Sequence, residues 1–289
     1  PRSTLCPSTT RFRSVNRRLD SLLVGLAEFE PDVVCLQELK AETSAFPAET
    51  LAELGYQSVW EGQRAWNGVA ILSRVGLEDV ATEFDGWPGF PGPEARAVAA
   101  TCDGVRVWSV YVPNGREPGS DHYEYKLQWL ASLREAVASG PDAAMVCGDM
   151  NIAPTDEDVF DPAAYEGHTH VTPPEREALA ELEAVGLRDV VRGRFPSERV
   201  VASWASPAAL FHKDLGMRID LILAGDPVAA RVKAAWVDRK ARKGKGPSDH
   251  APVIADLAQA PDGDIGPMVP PPSAAPPPRG THTLPQSKE

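Results

Sequence analysis

The sequence predicts an α+β domain in which largely antiparallel sheets are covered by helices. Short apolar runs typical of strands recur along the chain, and three longer segments show the apolar spacing of amphipathic helices. Strands and helices follow one another without a regular β-α-β alternation. Two of the runs, residues 98–102 and 105–110, are separated by Asp103-Gly104, which is a strong signal for a two-residue hairpin turn.

The predicted elements can be placed in chain order. The strands are residues 33–36, 69–73, 97–101, 105–112, 144–147, 219–223 and 253–257. The helices are residues 17–29, 123–138 and 174–185. The first helix rests on the spacing of Leu19, Leu22, Leu23 and Leu26, and the other two follow polar or proline-rich residues of the kind that start helices.

The composition indicates a globular protein without a membrane partner. The chain has 289 residues, 43% of them hydrophobic, which is enough for one large core or two small ones. It contains neither an apolar run of about 18 residues, the length that spans a membrane, nor a signal-peptide pattern. We therefore expect a cytoplasmic location. The cysteines, Cys6, Cys35, Cys102 and Cys147, show no C-x-x-C spacing, so buried free thiols are expected.

The charge distribution argues against a protein that coats nucleic acid non-specifically, because the formal net charge is -12. Residues 231–246 depart from this average. They contain seven basic residues and one acidic residue: Arg231, Lys233, Arg239, Lys240, Arg242, Lys243, Lys245 and Asp238. A solvated loop is one interpretation. Because the stretch leads directly into Ser248-Asp249-His250, we expect it to steer phosphates, with Lys243 and Lys245 as substrate-binding residues.

The chain divides into three predicted segments. Residues 1–13 are atypical for the start of the domain, residues 14–257 form a single domain, and residues 258–289 form a tail. Nine prolines fall between Pro261 and Pro285, with almost no large apolar residues, so the tail should be disordered or polyproline-like.

Polar motifs stand at the ends of four apolar runs. They are Gln37-Glu38, Gly148-Asp149-Met150-Asn151, Arg218-Ile219-Asp220 and Ser248-Asp249-His250. Carboxylates at strand ends, together with an amide and a histidine, can hold a hard cation against a phosphate and activate water. The motifs therefore predict a metal-dependent phosphodiesterase site.

The carboxylates and the amide have chemical roles open to them. Glu38 would emerge at the edge of the sheet, where it could coordinate Mg²⁺ directly, and a solvent-facing charge is the alternative. Asp149 and Asn151 are two residues apart and point to the same side of an extended chain. One could take a proton while the other orients a phosphate oxygen, and a turn without function is the alternative.

His250 is the candidate for contact with a phosphate oxygen. It lies beside Asp249 and directly after the basic, glycine-rich stretch. Such a histidine needs another carboxylate to fix its tautomer and to stabilise its charged form. Asp220 can be that partner.

Four further residues could contact the substrate. Tyr111 ends a strand and can present its hydroxyl to a phosphate, with packing as the alternative. Asn67 and Arg96 flank strands and could touch a backbone phosphate. Trp204 could stack on a sugar or a base, although a core tryptophan is the default.

Six motifs, in this order along the chain, resemble the exonuclease-endonuclease-phosphatase superfamily. They are Gln37-Glu38-Leu39-Lys40, Asn67-Gly68-Val69-Ala70-Ile71-Leu72-Ser73, Tyr111-Val112-Pro113-Asn114-Gly115, Gly148-Asp149-Met150-Asn151-Ile152-Ala153, Gly216-Met217-Arg218-Ile219-Asp220 and Ser248-Asp249-His250. Within the superfamily they are similar to exodeoxyribonuclease III and the abasic-site endonucleases. The match runs from about Ser14 to Leu257.

The resemblance implies a fold and an activity. The fold would be a four-layer αββα sandwich, DNase I-like, with two sheets packed face to face and helices outside. The activity would be a Mg²⁺- or Mn²⁺-dependent phosphodiesterase of base-excision repair. It would act on double-stranded DNA as a 3′-to-5′ exonuclease and an abasic-site endonuclease, and it would be a monomer.

The resemblance also implies roles for the residues of the motifs. The metal ligands would be Glu38 and Asp249, with Asp149 and Asn151 in the same set. Asp149 would handle the proton of the attacking water or of the leaving group, and Asn151 would orient the phosphate.

The remaining implied roles concern residues that contact the scissile phosphate. His250, supported by Asp220, would contact and polarise the scissile phosphate, and Tyr111 would assist there. Water would then attack in line in one step, with charge on the transition state neutralised by the metal.

The chain departs from the pattern of the family at two places. Arg11 and Arg13 stand where the first strand of the family ends in two asparagines, and residues 1–10 lack the apolar pattern of a strand. The first strand is therefore expected to be altered or missing. Residues 205–209 stand where the family often has an aromatic-Asp-Tyr-Arg segment that would border the DNA. The resemblance therefore predicts the type of reaction more firmly than the preferred substrate.

Two alternatives stay open from the sequence. The altered N-terminus is consistent with a catalytically impaired relative that still binds DNA. A phosphodiesterase of the same fold that acts on another phosphoester is the second alternative, and the basic stretch argues for a long polyanion instead.

Overall fold

The computed structural model describes residues 4–8, 15–82, 84, 86–204, 211, 213–242 and 248–257. Its strands are β1 (Thr4–Ser8), β2 (Val33–Gln37), β3 (Gln57–Glu61), β4 (Val69–Ser73), β5 (Glu78–Ala81), β6 (Ala97–Cys102), β7 (Val105–Tyr111), β8 (Ala144–Asp149), β9 (Leu187–Asp189), β10 (Asp220–Gly225), β11 (Ala234–Val237) and β12 (Val253–Asp256). Its α-helices are α1 (Leu19–Phe29), α2 (Ala48–Glu53), α3 (Asp121–Ala138), α4 (Pro173–Ala184), α5 (Val190–Arg194) and α6 (Asp226–Ala229). None of the helices in these ranges has the length and apolar composition needed to cross a membrane.

The strands form two sheets of the same design. The first has the order β11-β12-β1-β2-β4-β3 and the second the order β5-β6-β7-β8-β10-β9. Each sheet has a parallel pair at its centre, β1 with β2 and β7 with β8. The other pairs of neighbours are antiparallel. The predicted largely antiparallel sheets are confirmed.

The two sheets pack face to face and helices cover their outer faces. The core between the sheets contains Val33, Cys35, Val69 and Ile71 from the first sheet and Val98, Val107, Cys147 and Ile222 from the second. Helices α1 and α2 pack on the first sheet, and α3 and α4 pack on the second. The four-layer αββα sandwich is therefore confirmed. Cys35, Cys102 and Cys147 are buried free thiols, as predicted.

All the predicted strands and helices are present, and the Asp103-Gly104 turn has the predicted geometry. Asp103 has φ +46° and Gly104 has φ +76°, the two positive values that a type I′ hairpin turn requires. The strands that the sequence did not predict include β3, β5, β9 and β11, which are the four sheet edges. An edge strand has a neighbour on one side alone, so it needs no continuous apolar run. β3 and β5 are accordingly largely exposed or half-buried.

The N-terminal segment contains a strand, so of the two expectations, an altered or a missing first strand, the missing strand does not apply. β1 pairs parallel with β2 and antiparallel with β12, at the centre of the first sheet. The sequence Thr-Leu-Cys-Pro-Ser has no strand pattern, so backbone pairing with two neighbours specifies this strand. The predicted boundary at residue 14 therefore excludes part of the folded unit. Arg11, Arg13 and the tail, residues 258–289, lie outside the described residues.

Gly148 fixes the close approach of β7 and β8 just before Asp149. A Cβ atom at this position would lie 1.9 Å from the carbonyl oxygen of Val110, and Gly148 has φ +153°. We predict that Gly148→Ala lowers the free energy of unfolding by about 3 kcal/mol, because both the clash and the backbone conformation oppose a side chain. Urea unfolding measures the change.

Gly193→Ala is the matched control. Gly193 lies in α5, and a Cβ atom there would meet nothing within 4 Å. This variant should be as stable as the wild type or slightly more stable. Equal stability of the two variants would contradict the role of Gly148.

Candidate active site

The polar motifs meet at one edge of the sandwich because of the strand directions. The strands β2, β7 and β8 carry polar residues at their carboxyl ends, and their antiparallel neighbours β4, β6 and β10 start where those strands end. β12 starts at the same edge, because it runs antiparallel to β1, which is the parallel neighbour of β2. The residues at strand ends are Glu38, Tyr111 and Asp149, and those at strand starts are Asn67, Arg96, Asp220 and His250.

Glu38 and Tyr111 join the two sheets at this edge. The hydroxyl of Tyr111, at the end of β7, donates to Oε1 of Glu38, which follows β2, at 2.7 Å. Lys40 Nζ lies 3.7 Å from the other carboxylate oxygen of Glu38. Burial, with the charges of Glu38 and Asp149, raises the pKa of Tyr111 well above its usual value. The phenol therefore stays protonated and remains a hydrogen-bond donor.

Asp220 and His250 form a second contact between the sheets. His250 Nδ1 lies 2.8 Å from Asp220 Oδ2, and both side chains are buried. Burial alone would lower the pKa of His250, but the hydrogen-bonded carboxylate of Asp220 outweighs it and raises the pKa to about 10. His250 is therefore an imidazolium at neutral pH. The predicted pairing of these two residues is present, and Nε2 lies 3.1 Å from Ser203 Oγ.

Asp149 lies between these two contacts, with its Cα in register with both Tyr111 and Asp220. Burial and the charge of Asp220 raise the pKa of Asp149 to about 7, while the charge of His250 opposes this rise. A carboxylate with a pKa near neutrality can accept a proton under physiological conditions. This pKa is compatible with the acid-base role that the sequence predicts for Asp149, and that role stays a prediction.

Both the nitrogen and the oxygen of the Asn151 side-chain amide make hydrogen bonds. Its Nδ2 donates to the carbonyl oxygen of Val112 at 2.9 Å, and its Oδ1 accepts from Asn114 Nδ2 at 3.3 Å. Its backbone N–H donates to Asp149 Oδ1 at 2.9 Å. The backbone at Asn151 has φ +50°, a conformation that asparagine tolerates better than most residues.

The carboxylates at this edge fit a divalent cation. Among the described residues, the ligand atoms of Asp149, Asp220 and His250 lie within 4.8 Å of one another. Protonated His250 cannot bind a metal, so the oxygen donors are the ones available. The charges of Asp220 and Glu38 both raise the pKa of Asp149, which is a repulsion that a cation would relieve. Oxygen donors of this kind suit Mg²⁺ or Mn²⁺.

Asn67 and Arg96 lie at the same edge, where both bind Glu94. Nδ2 of Asn67 donates to Glu94 Oε1 at 2.9 Å, and Nε of Arg96 donates to Glu94 Oε2 at 2.8 Å. The guanidinium of Arg96 also lies over the ring of Tyr111, 5.0 Å from its centroid. Their predicted contact with phosphate stays a prediction, and in this structure they brace Tyr111 and the start of β6.

Trp204 does not have the predicted role in stacking on the substrate. Its side chain is 1% exposed, and its ring packs edge-on against Phe211 with centroids 5.0 Å apart. The guanidinium groups of Arg239 and Arg242 cover the ring at 4.8 and 5.0 Å. Trp204 is a core residue whose backbone N–H donates to the carbonyl oxygen of Asp249 at 2.8 Å. It therefore supports the loop that carries Asp249.

Two predictions about the DNA-facing side fall on residues that are not described. Lys243 and Lys245 lie outside the described residues, and so does the segment 205–209. Asp249 is described and is half-buried, with Ser248 Oγ donating to its Oδ1 at 3.3 Å.

Sequence reasoning missed a group of residues behind Asn151. Lys126 of α3 donates to the carbonyl oxygen of Asn151 at 2.7 Å, and Nδ1 of His170 lies 2.6 Å from the same oxygen. Glu175 of α4 accepts from Lys126 and from the backbone of His170. The Thr172 capping box that includes Glu175 is visible in the sequence, but it signals the start of a helix and not an active site.

Comparison with known proteins gives matches along most of the chain. The model of the Endonuclease/Exonuclease/phosphatase family matches residues 9–250. Exodeoxyribonuclease III of Haemophilus influenzae is 28% identical over 251 residues, which are 80% of this chain and 92% of that protein. Two solved structures are similar: a 3′-5′ exonuclease from Neisseria meningitidis (38% identical, TM-score 0.83, covering 89% of this chain and 100% of that one) and an AP endonuclease from Archaeoglobus fulgidus (34% identical, TM-score 0.82, covering 87% and 98%).

The charged state of His250 depends on Asp220, and this dependence can be measured. We predict that His250 titrates with a pKa of about 10 in the wild type. In Asp220→Asn the pKa of His250 should fall well below its wild-type value, because burial then acts without the carboxylate of Asp220. NMR titration of the imidazole resonances measures both values, and the exposed His168 serves as the internal control. An unchanged pKa of His250 would contradict the assignment of Asp220 as its partner.

Asp149 should destabilise the metal-free protein at neutral pH. Its pKa rises from 3.8 to about 7 on folding, so the unfolded chain ionises first as pH increases. The free energy of unfolding therefore falls between about pH 4 and pH 7. We predict that Asp149→Asn is more stable than the wild type by about 2 kcal/mol at about pH 8, and that this gain disappears near pH 4.

Urea unfolding in the presence of a chelator measures this gain at both pH values. Repeating the measurement with Mg²⁺ should reduce the gain, because the wild-type carboxylate then has a cation to bind. A gain of equal size at both pH values would mean that the titration of Asp149 is not its source.

Proposed function

The chain belongs to the endonuclease/exonuclease/phosphatase family, in its exodeoxyribonuclease III and abasic-site endonuclease branch, and from this premise we propose that it is a metal-dependent DNA nuclease of base-excision repair. Membership of this branch makes it a hydrolase of phosphodiester bonds. Its reactions would be removal of nucleotides from 3′ ends of double-stranded DNA and incision 5′ to abasic sites.

One observation carries the proposal. A charged His250, held by Asp220, lies in the same buried cluster as Asp149, whose pKa is about 7. A positive charge beside a carboxylate that can take up a proton can promote in-line hydrolysis of a phosphodiester, since the charge stabilises the transition state and the carboxylate accepts the proton of water. The known relatives support DNA as the substrate, since their names describe DNA nucleases.

Four residues of the site would have distinct roles in the reaction. Asp149 would accept the proton of the attacking water. His250 would donate a hydrogen bond to an oxygen of the scissile phosphate and offset its growing charge. Asn151 would orient that phosphate, and Tyr111, kept protonated by its surroundings, would donate beside it.

A divalent cation would occupy the carboxylate side of the site. Glu38, Asp149, Asn151 and Asp249 would hold Mg²⁺ or Mn²⁺, because their oxygen atoms suit a hard ion. When bound, such an ion neutralises negative charge on the phosphate. Glu38 would at the same time keep its contact with Tyr111, so that the two sheets stay aligned around the substrate.

The DNA would lie along the edge where the strands end. We propose that Asn67 and Arg96 border the phosphates near Tyr111, and that Lys243 and Lys245 contact the DNA backbone on the side of Asp249. Trp204 has no part in this surface. We propose that the nuclease domain consists of residues 14–257 together with β1. It would act as a monomer, because one chain supplies the site residues named above.

Two alternatives to a DNA nuclease are an impaired relative that binds DNA and an enzyme that acts on another phosphoester. An impaired relative was suggested by Arg11 and by an altered or lost first strand. β1 is present, and Arg11 lies outside the described residues. An enzyme for another phosphoester would share the catalytic cluster, so substrate assays decide this point. Strong salt dependence of binding would indicate DNA, because displaced counterions accompany contacts with a long polyanion.

The test uses labelled duplexes with an abasic site or a recessed 3′ end. We predict cleavage that requires Mg²⁺ or Mn²⁺ and stops in a chelator, and His250→Gln should lower kcat by about a thousandfold. His168→Gln is the matched control, because His168 is exposed and outside the cluster. Normal binding of the duplex without any cleavage by the wild type would remove the proposal in favour of the impaired relative.

A further inference from the structure

Lys126 carries a charge into the interior next to the site. Its side chain is 0% exposed, and its ammonium group pairs with the carboxylate of Glu175, which is also 0% exposed. Burying two charges costs desolvation free energy, and apolar side chains of similar size are often at least as stabilising. The position of this pair is therefore better explained by what the ammonium group contacts.

The ammonium group of Lys126 contacts the backbone of two residues at the active site. It donates to the carbonyl oxygen of Asn151 at 2.7 Å and to that of Asn114 at 3.2 Å. Asn114 in turn donates from its side chain to Oδ1 of Asn151 at 3.3 Å. One buried cation thus fixes Asn151 both directly and through its neighbour.

His170 provides a second donor to the same carbonyl oxygen. Its Nδ1 lies 2.6 Å from the oxygen of Asn151. Burial and the charge of Lys126 lower the pKa of His170 to about 4, so the ring is neutral at physiological pH. In the neutral ring the hydrogen must then be on Nδ1, which donates a hydrogen bond to the carbonyl oxygen of Asn151.

Glu175 organises both donors. Besides Lys126, it accepts from Thr169 Oγ1 at 2.6 Å and from the backbone N–H groups of His170 and Thr172, each at 3.0 Å. His170 has φ +83°, a conformation rarely adopted by a residue with a side chain, and Glu175 holds its backbone there. The start of α4 is thereby connected to Asn151.

These contacts act on a residue whose backbone is itself in the left-handed region. Asn151 has φ +50°, which directs its N–H to Asp149 Oδ1 and its side chain to Val112. If its carbonyl lost the donors, other conformations of this peptide would become accessible. The direction of the amide and the hydrogen bond to Asp149 would then vary.

We infer that Lys126 is a positioning residue for the reaction, which sets the conformation of Asn151 through its carbonyl oxygen, with Glu175 as its counter-ion. The inference rests on the function proposed for Asn151. Its expected signature is a lower kcat with little change in KM, because the substrate would still bind to a site whose orienting amide is misplaced.

The experiment separates positioning from stability with two variants. Lys126→Met leaves the charge of Glu175 buried without its partner, so both the Tm and kcat should fall, the Tm by about 10 °C. Lys126→Met/Glu175→Gln removes both charges and keeps an acceptor oxygen at position 175. It should recover most of the Tm while kcat on the duplex substrate stays at least about tenfold below the wild type.

A matched control joins the same two helices away from the site. Arg134 of α3 pairs with Glu181 of α4 on the surface, and neither contacts Asn151. Arg134→Met/Glu181→Gln should keep the wild-type kcat. If kcat of the Lys126 double variant recovers together with its Tm, Lys126 is merely structural and the inference is wrong.

A second measurement does not depend on activity. In a crystal structure of Lys126→Met/Glu175→Gln, the carbonyl of Asn151 should have turned from its present direction and the N–H contact with Asp149 should be lost. An unchanged Asn151 would overturn the inference even if the wild type cleaves no DNA. Inactivity of the wild type would remove the proposed function alone.

Discussion

The site depends on hydrogen bonds that cross from one sheet to the other. Tyr111 of the second sheet donates to Glu38 beside the first, and Asp220 of the second binds His250 beside the first. Directly beneath them, Gln37 Nε2 donates to Ser109 Oγ at 2.8 Å. The apolar core fixes the sheets face to face, so the strand ends that carry these groups are fixed as well. The catalytic geometry is thus a consequence of sheet packing.

Unequal pairing of the buried charges gives each carboxylate a different chemistry. Asp220 is paired with His250 and stabilises its charge. Burial, with the charges of Asp220 and Glu38, raises the pKa of Asp149 to about 7. Two aspartates in register on neighbouring strands therefore differ in environment, because Asp220 is paired with His250 and Asp149 has no such hydrogen-bonded cation among the described residues. This arrangement should reduce the stability of the metal-free protein, and it would give the proposed reaction a base near neutral pH.

Behind the strand ends, two carboxylates hold polar groups in place by hydrogen bonds. Glu94 accepts from Asn67, Arg96 and Tyr125, and it steadies the edge near Tyr111. Glu175 does the same for the backbone around Asn151. Helices α3 and α4 therefore do more than cover the second sheet. They carry charged residues into the interior, where few other positions could reach the peptide groups of the site.

Local patterns in the sequence predict the interior strands other than β1, the helices α1, α3 and α4, and the motifs that carry Glu38, Asp149 and His250. Apolar runs and helical spacing are local signals, and polar residues at the ends of such runs mark a sheet edge. The edge strands, the presence of β1, the buried position of Trp204 and the contacts of Lys126 became evident from the tertiary structure alone. These features depend on pairing or packing with residues distant in sequence, and a local pattern does not contain the identity of such a partner.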